Sequence, residues 1–360
     1  MPLYATTSSN RARRSAAALA ALALVATAAC GHDETTAPEP IEPGDIPVAT
    51  VDASQGWVYF SLDAGSTVPV ANPGTSSAWD IAFSATSVML NGGYAGPGGV
   101  SGYCLCQNSA TSPDDATILA YTAEGELDDL ANVTSSSIPS ADSFRSEELT
   151  PAITGWYTGS GATAQAATDK AWLLRLNDGT SLAKFRVTAL TQPSVAIPGK
   201  VTIEYAVQPE GSATVGDTRT LDVIVSTEGQ TRVDLTSGEI VTGSEADWDI
   251  AFEGWLLRLN GGVSGSGSAG ATPATEPFDG ITDINEITAP QAFRADAFAG
   301  VFAASPWYRY NLTGAHDITP IFDVYLLRRG NEVYKIQITD YYGPAGETRR
   351  ITFRYTPVTN

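Results

Sequence analysis

Apolar and polar residues alternate in short runs along the whole chain. Trp79, Ile81 and Phe83 alternate with Asp80 and Ala82, and the same period of two returns over Phe185 to Ala189, Val201 to Tyr205, Tyr334 to Ile338 and Ile351 to Tyr355. Such a period puts one apolar and one wet face on each segment, as in antiparallel sheet. Turn sequences separate the runs: Asn177-Asp-Gly179, Asn91-Gly-Gly93, Arg329-Gly-Asn331 and Tyr342-Gly-Pro344. Helical periodicity is scarce. Asp142 to Leu149 and Ala289 to Ala304 are the stretches suited to short helical turns, although Phe293 and Phe298 in the second are spaced poorly for one helical face. The pattern predicts an all-β protein closed as a sandwich or an irregular barrel.

The pattern is also written twice. Trp79-Asp-Ile-Ala-Phe83 returns as Trp248-Asp-Ile-Ala-Phe252, and Asn91-Gly-Gly93 returns at the same separation as Asn260-Gly-Gly262. Trp156-Tyr157 is echoed by Trp307-Tyr308, Trp172 to Leu176 by Tyr325 to Arg329, Lys184 by Lys335, and Ile203-Glu-Tyr205 by Phe353-Arg-Tyr355. Two tandem homologous antiparallel β domains are therefore expected, over residues 46–212 and 213–360. Each copy spans about 150 residues, enough to bury a core of its own. The copies diverge most between Asn-Gly-Gly and the Trp-Tyr pair, the long loop-rich part of each unit, where binding function usually resides.

The start of the chain reads as an address. Arg11, Arg13 and Arg14 precede an apolar run from Ala17 to Ala29, a pattern of signal-peptide type too short to span a bilayer permanently. Leu24 to Cys30 looks like a bacterial lipobox, which predicts a signal peptide over residues 1–29 and lipid attachment at Cys30. A Pro/Glu/Thr-rich tether over residues 30–45 follows, too poor in apolar residues to pack. Export without residues 1–29 leaves 17 basic against 40 acidic side chains, a balance of −23. That charge repels phosphate backbones and anionic headgroups, so nucleic acid is excluded as a partner, and contact with the outer membrane is expected through the lipid anchor only.

Catalytic chemistry has little to work with, and no enzyme is expected. The chain holds two histidines, His32 in the tether and His316, and it lacks G-x-S-x-G, H-E-x-x-H, a Walker loop and C-x-x-C. Gly265 to Gly270 satisfies G-x-G-x-x-G but leads into Ala-Thr-Pro rather than a helix, so it reads as a flexible loop. Cys104 and Cys106 are the remaining thiols once Cys30 is lipidated. Their states are a strained disulfide, an intermolecular bridge or two buried thiols, and a tetrahedral zinc site of soft ligands would need two more than the pair supplies. Met89 has core filling as its ordinary role, and His316 has that of a turn histidine bonding its own backbone.

The repeat words, with the passage from Trp307-Tyr308 and Tyr310 through His316 to Pro320, and Tyr334-Lys335 leading to Tyr341-Tyr342, resemble the HmuY family of bacterial haem-binding lipoproteins. The resemblance covers both copies and is stronger in the second. It implies an all-β fold, a lipid anchor on the outer membrane, and haem held between loops and passed to an outer-membrane receptor. The family's familiar pair of axial histidines cannot be carried over, because nothing in the first copy matches His316. The resemblance leaves His316, Met89 and Tyr308 as the residues to ligate haem iron. The expected ligand is haem or a similar small, flat apolar molecule. The competing expectation is a surface interaction protein whose two β domains bind a protein or glycan without haem.

Overall fold

The computed structural model describes residues 46–242, 247–284 and 293–359. The expected signal peptide, the tether, Cys30 and the first part of the Ala289–Ala304 stretch lie outside these residues. The first copy supplies strands β1 (Val48–Asp52), β2 (Val58–Ser61), β3 (Ser66–Val68), β4 (Ile81–Ser84), β5 (Ser87–Leu90), β6 (Val100–Cys104), β7 (Glu148–Thr150), β8 (Tyr157–Thr158), β9 (Gln165–Ala166), β10 (Trp172–Arg175), β11 (Leu182–Thr191) and β12 (Lys200–Gln208). The second supplies their equivalents in the same order: β13 (Arg219–Ile224), β14 (Thr231–Asp234), β15 (Glu239–Val241), β16 (Ile250–Glu253), β17 (Leu256–Leu259), β18 (Gly270–Pro273), β19 (Ala297–Ala299), β20 (Tyr308–Tyr310), β21 (Ile318–Pro320), β22 (Val324–Arg329), β23 (Glu332–Tyr342) and β24 (Thr348–Pro357). Among the described residues three short helices lie between strands: α1 (Asp115–Ala120), α2 (Leu127–Ala131) and α3 (Val301–Ala304).

These strands form two sandwiches, and each is built from both copies. Strands β3-β2-β4-β5 form a four-stranded sheet whose Phe60, Ile81, Phe83 and Leu90 pack on Ile336, Ile338, Ile351 and Phe353 of the sheet β1-β24-β23-β22-β6. The second sandwich mirrors the first: β15-β14-β16-β17 packs Val233, Ile250, Phe252 and Leu259 on Phe185, Val187, Val201 and Ile203 of the sheet β13-β12-β11-β10-β18. Each copy thus lends its first and sixth strands to flank the last three strands of the other. The expectation that each repeat buries its own core is corrected here, and the described residues form a single compact unit.

The physical reason lies in chain proximity. β12 ends at Gln208 and β13 begins at Arg219, so the two close as an antiparallel hairpin with Lys200 opposite Ile224. Closing that short loop costs far less entropy than bringing β13 to β24 across the whole second copy. Once β13 joins the first copy's sheet, β14 to β18 follow it, and β1 is left to pair with β24. β7 and β19 pair with each other where the chain crosses between sandwiches, setting Leu149 opposite its own equivalent Phe298.

The repeat words turn out to be scaffolding. Trp79 is fully buried, Asp80 accepts the Leu62 backbone N–H at 2.8 Å, and the Asn91 amide donates to the Trp79 carbonyl at 2.7 Å while its oxygen accepts from Gly98 N–H. In the second copy Asp249 accepts from Leu235 and the Asn260 amide donates to the Trp248 carbonyl. Gly265 and Gly267 have no room for a Cβ against Asn260, and Gly267 N–H bonds its side-chain oxygen. The stretch read as a flexible loop is a packed turn around that asparagine.

The alternation fails where it predicted a wet face. Val333 to Ile338 of β23 are all buried, because the segment carrying α2 lies over the outer side of the sheet with Leu130 and Val133 against Val324 and Leu326. Much of the long divergent loop is thus a third layer.

Candidate ligand-binding site

β20 and β21 form a hairpin in which Tyr308 opposes Pro320 and Tyr310 opposes Ile318. The reversal places His316 at a left-handed φ of 60° and Asn311 at 64°, a conformation asparagine tolerates better than most residues. The Asn311 side chain accepts the His316 backbone N–H at 2.8 Å, and Asp317 accepts the Thr313 hydroxyl at 2.6 Å. His316 is exposed, and its Nδ1 lies 2.8 Å from the Tyr310 hydroxyl. Its ring therefore bonds a tyrosine, not its own backbone as expected from the sequence. In the tautomer with the proton on Nδ1, the tyrosine oxygen accepts and Nε2 offers its lone pair to solvent, the arrangement that prepares an imidazole to ligate a metal.

The hairpin belongs to an aromatic end of the first sandwich. Trp307 packs edge-on against Tyr308 at 5.1 Å and lies 6.4 Å from Tyr341, which packs edge-on against Tyr342. The Tyr342 hydroxyl accepts the Ile318 N–H, tying the hairpin to β23. Tyr310 remains 57% exposed, so an aromatic face beside the imidazole is open to a ligand. The second sandwich has a counterpart in Trp156, Tyr157 and Trp255, but no histidine accompanies it.

The three ligands proposed from sequence do not converge. Met89 sits in a buried cluster with Trp79, Ala82 and Ala95, on the opposite side of its sheet from Leu90 and the sandwich core. Its ordinary role as core filler is what the structure gives it. Tyr308 is half-buried against the sandwich core, and its hydroxyl is placed to donate to Thr86 Oγ1 at 3.3 Å. Of the three, His316 alone presents a ligating atom outward. Its partner Tyr310 lies 6 residues before it in the chain, but the hydrogen bond depends on the hairpin register and is not legible from spacing.

Two clefts recur at equivalent places. One of about 750 Å³ lies beside β18, lined by Pro151, Ala152, Ala271, Arg294 and Ala297. The other, of about 360 Å³, lies beside β6 and is lined by Gly102, Tyr103, Arg145 and Val301. Arg145 and Arg294 hold matching positions, bridging Gly102 and Ala271. Both volumes suit small ligands, yet neither His316, Met89 nor Tyr308 lines either cleft.

Fold and repeat together define an all-β protein of two interleaved antiparallel sandwiches. A family model described as HmuY protein matches residues 53–205 and 226–355, and the chain belongs to the HmuY family. Among solved structures it is similar to a candidate lipoprotein from Bacteroides fragilis, at 12% identity over 86% of this chain and 88% of that one, with a TM-score of 0.29. No curated protein matches the chain. No helix among the described residues is long and apolar enough to cross a membrane.

Proposed function

We propose that the protein is an exported, lipid-anchored surface protein of the HmuY type that captures haem, or a similarly flat apolar molecule, on the aromatic end of its first sandwich. The observation that carries this reading is the His316–Tyr310 pair, exposed on a hairpin that the Tyr342 hydroxyl ties to β23. When haem is bound, its iron supplies the coordination chemistry. His316 would offer it one nitrogen, Tyr310 would fix the imidazole's orientation, and the exposed Tyr310 ring would give a flat ligand an apolar face. Met89 and Tyr308 would not ligate the iron, because the Met89 side chain is buried in its cluster and the Tyr308 hydroxyl is bonded to Thr86.

A haemin titration followed by visible absorbance tests the reading. Saturable binding with a shifted Soret band is expected, weakened by at least about tenfold in His316→Ala and unchanged in Met89→Ala beyond any loss of folded protein. A band that does not saturate, or one indifferent to His316, would overturn it and leave the scaffold to a protein or glycan partner.

A further inference from the structure

Cys104 ends β6 and is disulfide-bonded to Cys106, whose backbone takes the left-handed φ of 52° that brings the two sulfurs together across one intervening residue. The turn that follows presents the N–H groups of Asn108 and Ser109 to Asp323 Oδ1 at 2.9 and 3.2 Å. Asp323 is 1% exposed, and its Oδ2 has no hydrogen-bond partner. A carboxylate oxygen of Asp323 and both sulfurs lie within 4.8 Å of one another. A buried carboxylate oxygen without a donor is costly unless a proton or a cation joins it. Bonded to each other, the sulfurs supply neither; as thiolates they would complete a coordinating set around whatever cation entered. The cleft of about 360 Å³ gives access, since Cys104 and Cys106 line it.

We infer that Cys104, Cys106 and Asp323 form a redox-gated site for a thiophilic divalent cation of the Zn²⁺ class, closed while the disulfide stands and opened by a dithiol reductant. A thiolate of the reductant attacks one sulfur, breaking the Cys104–Cys106 bond and forming a mixed disulfide. Its second thiolate attacks the reductant's own sulfur in that mixed disulfide and releases the cysteine first attacked. Two electrons pass to the protein, and the reductant leaves as a disulfide with its two protons transferred to the cysteine thiolates. Cation binding then displaces both thiol protons to solvent. Zinc accepts cysteine sulfur and aspartate oxygen together, and three protein ligands leave a fourth position for water. The sequence showed two of these ligands; the third comes from the other copy.

The equivalent place in the second sandwich lacks the set. Trp172 opposes Pro273 as Tyr325 opposes Cys104, and the residue two before Trp172 is Lys170 where Asp323 precedes Tyr325. The scaffold therefore does not require these side chains.

Titration of the full chain with Co²⁺, before and after reduction by a phosphine, tests the site. The reduced protein should bind about one equivalent with a thiolate-to-cobalt charge-transfer band that Zn²⁺ displaces, and the oxidised protein should show none. Asp323→Asn keeps an acceptor for Asn108 and Ser109 and should weaken binding by at least about tenfold; Cys104→Ser with Cys106→Ser should remove the band. No charge-transfer band in the reduced protein, equal binding by the oxidised form, or unchanged affinity in Asp323→Asn would each overturn the inference.

Discussion

Glu147 and Asp296 hold matching positions just before the β7–β19 crossover, and each carboxylate accepts a backbone N–H from the end of a hairpin strand, Leu90 for one and Leu259 for the other. Asp296 also accepts from Ala152, whereas Glu147 is packed against Gly300 and, among the described residues, accepts from the Leu90 N–H alone. Burial without a cation pushes the Glu147 carboxyl up to about 7. Its pKa is thus higher folded than unfolded, so its contribution to stability is complete below about 4.5 and is lost as pH rises through about 7, about 3 kcal/mol in all. Glu147→Gln keeps the acceptor and removes the ionisation. In melts across pH 4.5 to 8, it should gain on the parent by about that amount toward the alkaline end; parallel curves would show that Glu147 ionises freely when folded. Nothing in the sequence distinguished this residue from the many other acids, because its burial is decided by a crossover between copies.

The element most misread from the sequence is the long divergent loop, and its attachment points were visible without being understood. Lys335 and Lys184 are equivalents in the repeat, and alternation over Tyr334 to Ile338 puts Lys335 on a wet strand face, yet both are buried. Lys335 donates to the carbonyls of Ala131 and Val133 at 3.0 and 2.9 Å, and Lys184 to those of Phe278 and Ile281 at 3.1 and 3.0 Å. Desolvation holds both ammonium groups below the usual lysine range. Each lysine thus fastens a covering segment to a sheet, Lys335 through carbonyls at the end of helix α2 and Lys184 through the Ile281 carbonyl and the Phe278 carbonyl, which also accepts the Ile281 N–H. Lys335→Met should cost about 1–3 kcal/mol by leaving two buried carbonyls unsatisfied. Hydrogen exchange should then rise around residues 126–134 while the β23–β24 ladder stays protected; a uniform rise would mean the lysine supports the whole sandwich. Strand alternation was legible because it is local, but which faces are covered depends on segments far away in sequence.

At the scale of the whole molecule, duplication hides its own consequence. Two copies of one sequence carry the same complementary edges, so pairing within a copy and pairing between copies read identically along the chain. What separates them is the short link from Gln208 to Arg219, which favours the β12–β13 hairpin and so commits the rest of each copy to the other. The all-β class and the register of the repeat words were legible; the exchange was not. Contacts between copies also reach single residues, as when Arg329 donates to Asp80 at 3.0 Å and Asn177 N–H donates to Asp249 at 2.8 Å. A protease site inserted after Gly211, an exposed glycine with open space around it, cuts the chain between the copies without touching either core. The two fragments should remain together at the hydrodynamic size of the intact chain and part only under denaturant, because each sandwich takes one sheet's main strands from either fragment. Fragments that separate as folded monomers in native buffer would show instead that each copy closes on itself.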